Sequence, residues 1–419
     1  MKARMKDKSP YSRFQHLVIC LSILLFAPSC SATTLSATPS AQPNPSPAPV
    51  LNPTEQPTSA SPTQPAESST PAAAPFRAST PASPQVSAQS VALTGHTSAV
   101  TSLNWSPDGS LLASSCGGFQ SKDYAIRIWR SDGTSAYILT GHTQPVTGLT
   151  WSPDGQTLAS SSLDGTIRLW SSKGMPLKTL QGDAGHVFAV AWSPDGEILA
   201  SGSIITFTNP TVQLWNQAGQ IVTTLSTSFS GGKFYNLAWS PDGKYLLGGA
   251  TDYKLWRADG EQVFWLKGCA SCTPAWGMAW SPDSKLWAIG DESGNVGIYT
   301  NLGEKVVAVH DQTGLNSLAW SPDSRLLAGA KTLWRANGTT LNTLNTQPEY
   351  VNSVAWSPDG KILASGGNDA IVHLWAPDGK PLGALKGHTD TIEVVAWSPA
   401  GNILASAGND MTVWLWTLK

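Results

Sequence analysis

After residue 87, short runs of alternating apolar and polar residues are separated by turn residues. Residues 146–151 alternate apolar with small or polar side chains, as in a strand with one buried face. Ser152-Pro153-Asp154-Gly155 follows, and Pro at its second position and Gly at its fourth favour a type I turn. Three more such runs follow at 157–160, 166–170 and 176–180. The pattern therefore predicts four antiparallel strands in a unit of about 41 residues.

This unit recurs along the chain. Trp-Ser-Pro occurs eight times, at spacings of 36 to 47 positions from one Trp to the next, at Trp105, Trp151, Trp192, Trp239, Trp280, Trp320, Trp356 and Trp397. A second aromatic residue ends each unit, at Trp129, Trp170, Trp215, Trp256, Tyr299, Trp334, Trp375 and Trp416. These positions hold 15 of the 19 Trp residues. A repeat of four strands is typical of a propeller blade, and the count favours eight blades over seven.

The second repeat opens with Gly141-His142 and ends with Leu169-Trp170. On these residues the chain resembles the WD40 repeat family, in which a His, a Ser or Thr, an Asp and a Trp form a hydrogen-bonded tetrad. The resemblance implies an all-β, eight-bladed propeller with a tetrad in three repeats. Their residues are His96, Ser114, Asp123 and Trp129 in the first, His142, Ser160, Asp164 and Trp170 in the second, and His388, Ser406, Asp410 and Trp416 in the eighth.

The other repeats depart from the tetrad. The seventh keeps Ser365, Asp369 and Trp375, but Gln347 stands at the His position. Repeats three to six depart further, so we expect those blades to be held by packing. A partly formed buried polar network leaves groups unpaired, so only the complete tetrads are expected to stabilise their blades.

The eighth repeat lacks a fourth strand, because the chain ends three residues after Trp416. Residues 90–96 parallel residues 136–142, which begin with the fourth strand of the first repeat. We therefore predict that residues 88–94 pair with the strand that ends at Trp416. Such pairing would close the ring and remove its free edge.

The first 30 residues predict export. Five basic residues precede the apolar run Leu17–Ala27 and then small residues, the arrangement of a signal peptide over residues 1–30. Cys30 resembles the lipidated cysteine of bacterial lipoproteins, although Ala27 replaces the usual Leu. The alternatives are a lipid anchor at Cys30 on the outer face of the membrane, and cleavage near Ala32 with free secretion.

A linker follows the signal segment. In residues 31–86, 42 of 56 positions are Pro, Ala, Ser or Thr, a composition that predicts a disordered tether. Residues 87–419 are predicted to form the propeller. Their formal charge is −5, with 20 basic and 25 acidic residues, which argues against a nucleic-acid partner.

One face of the ring is the predicted binding face. The turns after the first and third strands of each repeat are short, whereas the other connections vary in length and emerge on the opposite face. Variable loops on a rigid scaffold are common binding sites. Aromatic residues lie in or beside these connections, at Phe119, Phe207, Phe229, Phe234, Tyr235 and Trp276. The alternative is loop variation without a ligand.

Candidate chemistry is sparse. Cys269 and Cys272 form a single C-x-x-C pair, for which a loop disulfide is favoured over zinc, because zinc needs two more ligands. His186 and His310 have no evident nucleophile or metal-ligand companion in the sequence. We expect no catalytic residues, no metal and no cofactor.

The resulting hypothesis is an exported, non-catalytic, monomeric scaffold that binds unidentified protein partners in a bacterial cell envelope. Fold alone does not establish function. A carbohydrate- or cell-wall-binding propeller is the first alternative, and a propeller hydrolase ranks below it.

Overall fold

The structure, a computed structural model, describes residues 88–118, 120–182, 185–204, 210–225, 236–249, 252–266, 277–345 and 349–418. Every helix or strand assigned in these ranges is a β-strand. None of them forms a helix long and apolar enough to cross a bilayer. The predicted signal peptide and linker, with Cys30, lie outside the described residues.

The strands form eight four-stranded antiparallel sheets, one per sequence repeat. The first, innermost strands of blades 1 to 8 are β2 (Ser102–Trp105), β6 (Val146–Trp151), β10 (His186–Trp192), β14 (Asn236–Trp239), β18 (Gly277–Trp280), β22 (Ala319–Trp320), β26 (Val351–Trp356) and β30 (Ile392–Trp397). The second strands are β3 (Leu111–Ser115), β7 (Thr157–Ser162), β11 (Ile198–Ile204), β15 (Tyr245–Gly249), β19 (Leu286–Gly290), β23 (Leu326–Ala328), β27 (Leu363–Gly367) and β31 (Ile403–Gly408).

The third strands, which carry the closing aromatic residue, are β4 (Ile126–Arg130), β8 (Thr166–Ser171), β12 (Pro210–Asn216), β16 (Tyr253–Arg257), β20 (Asn295–Thr300), β24 (Thr332–Arg335), β28 (Ile371–Trp375) and β32 (Val413–Leu418). The outer strands of blades 1 to 7 are β5 (Ser135–Leu139), β9 (Pro176–Gln181), β13 (Ile221–Leu225), β17 (Gln262–Leu266), β21 (Lys305–His310), β25 (Thr340–Thr343) and β29 (Pro381–Lys386). The outer strand of blade 8 is β1 (Ala88–Leu93).

The predicted ring closure is confirmed. β1 pairs antiparallel with β32 from Ala88 opposite Leu418 to Leu93 opposite Val413, so the N-terminal strand completes the last blade. Each innermost strand contacts the innermost strands of both neighbouring blades, including β30 with β2. The backbone N–H of Val100 also donates to the carbonyl of Gly408 at 3.1 Å. The eight blades therefore form a closed ring, as predicted over seven.

The turns after the first strands are built by the repeated tetrapeptide. In blade 2, the N–H of Gly155 donates to the carbonyl of Ser152 at 2.8 Å, and the φ of Gly155 is +69°. The Ser152 hydroxyl also accepts the N–H of Thr157 at 2.9 Å, which joins the turn to the second strand. The sequence places all these turns on one face of the ring, because each first strand runs toward its Trp-Ser-Pro segment.

The first Trp of each repeat links neighbouring blades. The indole N–H of Trp280 donates to the carbonyl of Ala238 at 3.1 Å, and that of Trp105 donates to Ala396 at 3.2 Å across the ring closure. The same bond joins Trp151 to Asn104, Trp239 to Ala191, Trp320 to Ala279, Trp356 to Ala319 and Trp397 to Ala355. Trp192 is the exception, and its buried indole nitrogen has no hydrogen-bond partner among the described residues. Sequence analysis did not foresee this circle of bonds.

Candidate functional site

Three blades carry four-residue hydrogen-bonded chains. In blade 2, Nδ1 of His142 lies 2.9 Å from Oδ2 of Asp164, and Nε2 lies 2.8 Å from the Ser160 hydroxyl. The indole N–H of Trp170 donates to that hydroxyl at 2.9 Å. Because a carboxylate only accepts, Nδ1 carries the proton, and the Ser hydroxyl therefore donates to Nε2. Each group thus donates a hydrogen bond to the next, from the Trp indole through the Ser hydroxyl and the His ring to the Asp carboxylate.

The other two chains have the same geometry. In blade 1 the Nδ1–Asp, Nε2–Ser and indole–Ser distances are 3.1, 2.7 and 2.8 Å, and in blade 8 they are 2.7, 2.8 and 2.8 Å. The blade 1 residues are His96, Ser114, Asp123 and Trp129, and those of blade 8 are His388, Ser406, Asp410 and Trp416. The structure therefore brings together the residues that the sequence assigned to three complete tetrads.

The tetrad aspartates are held in their charged form. Burial acts to raise the pKa of Asp410, but hydrogen bonds from His388, Thr412 and the N–H of Thr389 outweigh burial and hold it at about 2. The pKa of Asp164 is also well below its usual value, because His142 and Thr166 hydrogen bonds outweigh its burial. Burial lowers the pKa of His96, which favours the neutral ring that the hydrogen-bond directions require.

Blade 1 adds two groups to its tetrad. Arg127 donates to both oxygens of Asp123, at 2.9 and 3.1 Å. The buried thiol of Cys116 lies 3.2 Å from Nδ1 of His96 and donates to the carbonyl of Ser98 at 3.2 Å. Together, His96, Cys116 and Asp123 place three possible metal-ligating atoms within 4.8 Å of one another.

The groups of this cluster are already paired with one another. Burial raises the pKa of the Cys116 thiol to about 12, so the thiol is protonated and donates its hydrogen bond. The guanidinium of Arg127 already neutralises Asp123, and the Nδ1 proton of His96 is already donated. The cluster therefore supports blade 1 as a neutralised hydrogen-bond network.

Blade 7 keeps half of the tetrad. The indole N–H of Trp375 donates to the Ser365 hydroxyl at 3.0 Å. Asp369 is not joined to that pair and instead accepts from Nε2 of His373 at 2.8 Å, near the surface. Gln347, at the tetrad His position, lies outside the described residues. His373 belongs to the third strand of the same blade, and sequence analysis gave it no role.

Blade 6 fills the tetrad His position with a carboxylate. Asp311 lies nine residues before Trp320, as His142 lies nine before Trp151. It is fully buried and accepts the backbone N–H groups of Lys331 and Thr332 at 3.1 and 3.2 Å. Burial raises its pKa against these bonds. Sequence analysis missed this residue, although the nine-residue offset was a signal that could have found it.

Gly329 stands at the tetrad Ser position of blade 6 and leaves room for the neighbouring groups. A Cβ there would lie 2.5 Å from Oδ2 of Asp311 and 2.7 Å from the Trp334 ring. Gly329 therefore replaces the expected Ser, and the side chains of Asp311 and Trp334 occupy the space that a Ser side chain would fill.

Blade 5 is held by aromatic packing. The rings of Trp287 and Tyr299 stack with centroids 4.3 Å apart, and Phe264 packs against both rings at about 6 Å. A Cβ at Gly297 would lie 2.5 Å from the Tyr299 ring, so this glycine makes room for the aromatic residue that replaces the closing Trp. This arrangement is the packing expected for blades that lack the tetrad.

The six aromatic residues proposed for the binding face all lie outside the described residues: Phe119, Phe207, Phe229, Phe234, Tyr235 and Trp276. Cys269 and Cys272 also lie outside them, so the loop disulfide stays a prediction.

A second set of residues on the predicted binding face is described. In the six repeats where it is described, the residue four positions before the first Trp stands near the start of the first strand, at the ring end opposite the Trp-Ser-Pro turns. Six of these residues are described and half-buried, and we name them the mouth ring: Thr101, Thr147, Phe188, Asn316, Asn352 and Glu393. The same offset falls on Tyr235 and Trp276 in blades 4 and 5.

Four members of the mouth ring sit on β-bulges. In blade 8, Ile392 pairs with Gly408 and Val394 pairs with Ala407, so Glu393 is the extra residue of its strand. Thr147, Phe188 and Asn352 hold the same position in blades 2, 3 and 7. A bulge takes a residue out of the ladder register and redirects its side chain. Four blades therefore use the same local distortion at the same position.

The mouth ring forms a polar chain across blades 6, 7 and 8. Asn316 donates to Oδ1 of Asn352 at 3.1 Å. Asn352 then donates to the carbonyl of Ile392 at 3.0 Å and to Oε2 of Glu393 at 3.4 Å. In blade 2, Thr147 likewise donates to the carbonyl of Val187 in blade 3 at 2.7 Å. These side chains hold neighbouring blades together and orient one carboxylate at the end of the chain.

Chemically, this arrangement suits binding better than acid–base catalysis. Among the described members of the mouth ring there is one carboxylate, Glu393, and general acid–base hydrolysis of a glycosidic bond needs two. Amides, hydroxyls, a carboxyl and a phenyl ring supply hydrogen bonds, charge and apolar contact, which are the elements of a recognition surface.

Comparison with known proteins agrees with this architecture. The family described as WD domain, G-beta repeat matches residues 87–130, 133–171, 174–216, 338–376 and 379–417. The matched ranges contain the three complete tetrads, and blades 4 and 5 and the first three strands of blade 6 fall between them. No curated protein matches the chain. From the matched repeats and the closed eight-bladed ring, we conclude that this chain belongs to the WD40 family of β-propeller proteins.

Proposed function

We propose that this protein is a non-catalytic scaffold that binds a protein partner at the mouth ring. WD40 propellers are typical protein-interaction scaffolds and are generally non-catalytic. The observation that carries the proposal is the chemical variety of the mouth ring. Its six described members include two amides, two hydroxyls, one carboxyl and one phenyl ring.

That variety contrasts with neighbouring positions on the same strands. The residue directly before the first Trp is Ala in six of the eight repeats, and its carbonyl accepts the next indole N–H in seven blades. A repeated structural bond explains a repeated small residue. Ring closure does not by itself require a Glu in blade 8 and a Phe in blade 3 at equivalent bulges, so a ligand is the better reason for the difference.

We also propose that the scaffold is exported and anchored by lipid at Cys30 on the outer face of the membrane. The basic and apolar pattern of residues 1–30 supports export, and the small residues around Cys30 support acylation. The Pro-rich residues 31–86 would then separate the ring from the membrane.

Capture from the native cell envelope tests the binding proposal. The full-length protein, a Phe188→Ala variant and a Lys361→Ala variant would each be used as bait. Phe188 belongs to the mouth ring, whereas Lys361 is an exposed residue beside the turn on the opposite face. We expect the wild type and Lys361→Ala to retain a protein that Phe188→Ala does not retain. The three baits should have equal melting temperatures, which shows that all of them fold. Equal retention by all three, or binding only of glycans on an array, would overturn the proposal.

Acylation tests the anchor. Fatty-acid labelling of the wild type is expected to fail in Cys30→Ala, and that variant should appear in the soluble fraction. An unlabelled wild type, or a Cys30→Ala variant that stays with the membrane fraction, would contradict lipid anchoring and favour free secretion or another attachment.

A further inference from the structure

Glu393 lies in an unusual electrostatic position for a carboxyl group. Protein atoms surround it on most sides, yet solvent still reaches it at the mouth ring. No Lys, Arg or His among the described residues lies within ion-pair distance of it. Partly buried carboxylates in proteins are ordinarily paired with a cation or with several donors, because removing a charge from water is costly.

Neighbouring side chains hold this carboxyl group in place. Asn352 donates to Oε2 from the adjacent blade, and Asn409, just after the second strand of blade 8, also hydrogen-bonds the carboxyl. The bulge at Glu393 fixes its backbone. An acceptor group oriented this way before binding loses little conformational entropy when a donor arrives.

We propose that Glu393 receives the cationic head of a lysine or arginine side chain that a protein partner inserts into the mouth ring. The inference rests on the proposed scaffold function and names the chemistry of its partner. A cation–carboxylate contact at a partly buried site is stronger than one at the surface, because water screens it less.

Three further observations agree with a cationic occupant. Asn316, two blades away, donates one N–H to Asn352, and its amide oxygen is an acceptor of the kind that a second N–H of an ammonium or guanidinium group needs. Residues 87–419 carry a formal charge of −5, which attracts a basic partner at long range. Asp390, close to Glu393, adds negative charge to the same side of the ring.

The ionisation of the carboxyl group follows from its surroundings. Burial, with a smaller contribution from the negative charge of Asp390, raises the pKa of Glu393 to about 7, although the Asn409 hydrogen bond acts to lower it. Two amide side chains face the Glu393 carboxyl: Asn352 from the next blade and Asn409 from its own sheet. Neither amide titrates. A cation binds the charged form, so its affinity is expected to fall as the pH drops from about 8 to about 6.

Short peptides that differ in one charge test the proposal. The probes are the capped tripeptides acetyl-Gly-Lys-Gly-amide and acetyl-Gly-Arg-Gly-amide, and norleucine replaces Lys in the neutral control. Binding to the full-length protein would be followed by NMR at constant ionic strength, up to about 10 mM peptide. We expect saturable binding of a cationic probe and at least about tenfold weaker binding of the norleucine probe.

Two variants distinguish the effect of the Glu393 carboxylate from the effect of the protein's net charge. Glu393→Gln removes the carboxylate, and Glu304→Gln removes the same charge from an exposed turn on the opposite face. We expect Glu393→Gln to lower the affinity for the cationic probe by about tenfold and Glu304→Gln to leave this affinity unchanged. Melting temperatures would verify that both variants fold.

Either of two results would overturn the inference: equal binding of the charged and neutral probes, including no binding of either, or equal effects of the two variants. Both can occur while envelope capture still depends on Phe188. In that case the scaffold function stands, and only the cationic chemistry of the partner is wrong.

Discussion

Blades 8, 1 and 2 differ from blades 5 and 6 in how they fill the same space beside the closing aromatic residue. In the first group, an indole N–H, a Ser hydroxyl, a His ring and an Asp carboxylate form one paired chain. In blade 5 the stacked rings of Trp287 and Tyr299, with Phe264 from blade 4 tilted against them, fill the space, and in blade 6 a buried Asp accepts backbone N–H groups. Equivalent strands therefore tolerate either a hydrogen-bonded polar interior or an aromatic one, and the aromatic one leaves the buried indole nitrogen of Trp287 without a hydrogen-bond partner among the described residues.

The position of the two groups gives this difference a physical meaning. Blade 8 contains the junction between the chain ends and blades 1 and 2 follow it around the ring, whereas blades 5 and 6 lie away from it. The β1–β32 pair joins residues separated by nearly the whole ring, so its closure entropy is larger than that of a hairpin. The three complete tetrads therefore add directional hydrogen bonds to the blades at and beside the closure.

Removal of the closing strand is the largest expected perturbation. Deletion of residues 87–94 exposes the edge of β32 and removes the buried Leu93, so we expect the melting temperature to fall by more than about 10 °C or cooperative unfolding to be lost. The control replaces the exposed Gln89, Ser90 and Ala92 with Thr, which keeps the backbone pairing. Unchanged melting of the deletion would show that β1 does not close the ring.

Aromatic packing in blade 5 is expected to give the next largest effect. Trp287 is fully buried and stacked on Tyr299, so Trp287→Ala should lower the free energy of unfolding by about 3–5 kcal/mol. Tyr299→Phe keeps the ring and removes only the hydroxyl, so its cost should stay below about 1 kcal/mol. Urea unfolding measures both. A cost of Trp287→Ala similar to that of Tyr299→Phe would contradict packing as the source of stability.

The complete tetrads are tested by matched aspartates. Asp164→Ala leaves the His142 proton and the N–H of Thr143 without their acceptor, so we expect a loss of about 1–3 kcal/mol in the free energy of unfolding. Asp369→Ala in blade 7 removes two bonds near the surface, one to His373 and one from the N–H of Ile371, and its cost should be below about 1 kcal/mol. Equal costs in urea unfolding would remove the distinction between complete and partial tetrads.

A fall in pH should change the free energy of unfolding in opposite directions through Asp410 in blade 8 and through Asp311 in blade 6. The pKa of Asp410 is about 2, below the usual 3.8, so the stability that it contributes is present above pH 3.8 and is lost as the pH falls through about 2. Burial raises the pKa of Asp311, so its contribution declines as the pH rises above 3.8.

The expected loss of stability through Asp410 is up to about 2 kcal/mol. Asp410→Asn should therefore flatten the decline of unfolding free energy between pH about 5 and about 2, whereas Asp311→Asn should leave the decline in place. The same pH dependence in both variants would refute the assignment.

The smallest expected difference concerns the bonds between blades. Trp280→Phe removes an indole bond to the carbonyl of Ala238, whereas the indole nitrogen of Trp192 has no partner among the described residues. Both substitutions replace an indole by a phenyl ring, but only Trp280→Phe breaks a hydrogen bond, so Trp280→Phe should cost about 1 kcal/mol more than Trp192→Phe. Calorimetry of the two variants measures this difference, and equal costs would mean that the circle of indole bonds adds no net stability.

Much of the architecture was predictable, because each repeat carries its own signals. Trp-Ser-Pro fixed the repeat length, turn residues separated the strands, and the absence of a fourth strand after Trp416 indicated the role of residues 88–94. The residues of the three complete tetrads were found from their positions within the repeat. Asp311 and Glu393 were not found, because neither belongs to the residue set of the tetrad motif and a search for that motif passes over them.

The sequence by itself determined the number of blades, the closing strand and the residues of the complete tetrads, because these depend on local patterns repeated many times. Only the tertiary structure decided which groups meet across blades. The indole bond from Trp105 to Ala396 and the chain from Asn316 through Asn352 to Glu393 join different repeats. Their partners are set by ring curvature and by bulges, which periodicity along a single repeat does not encode.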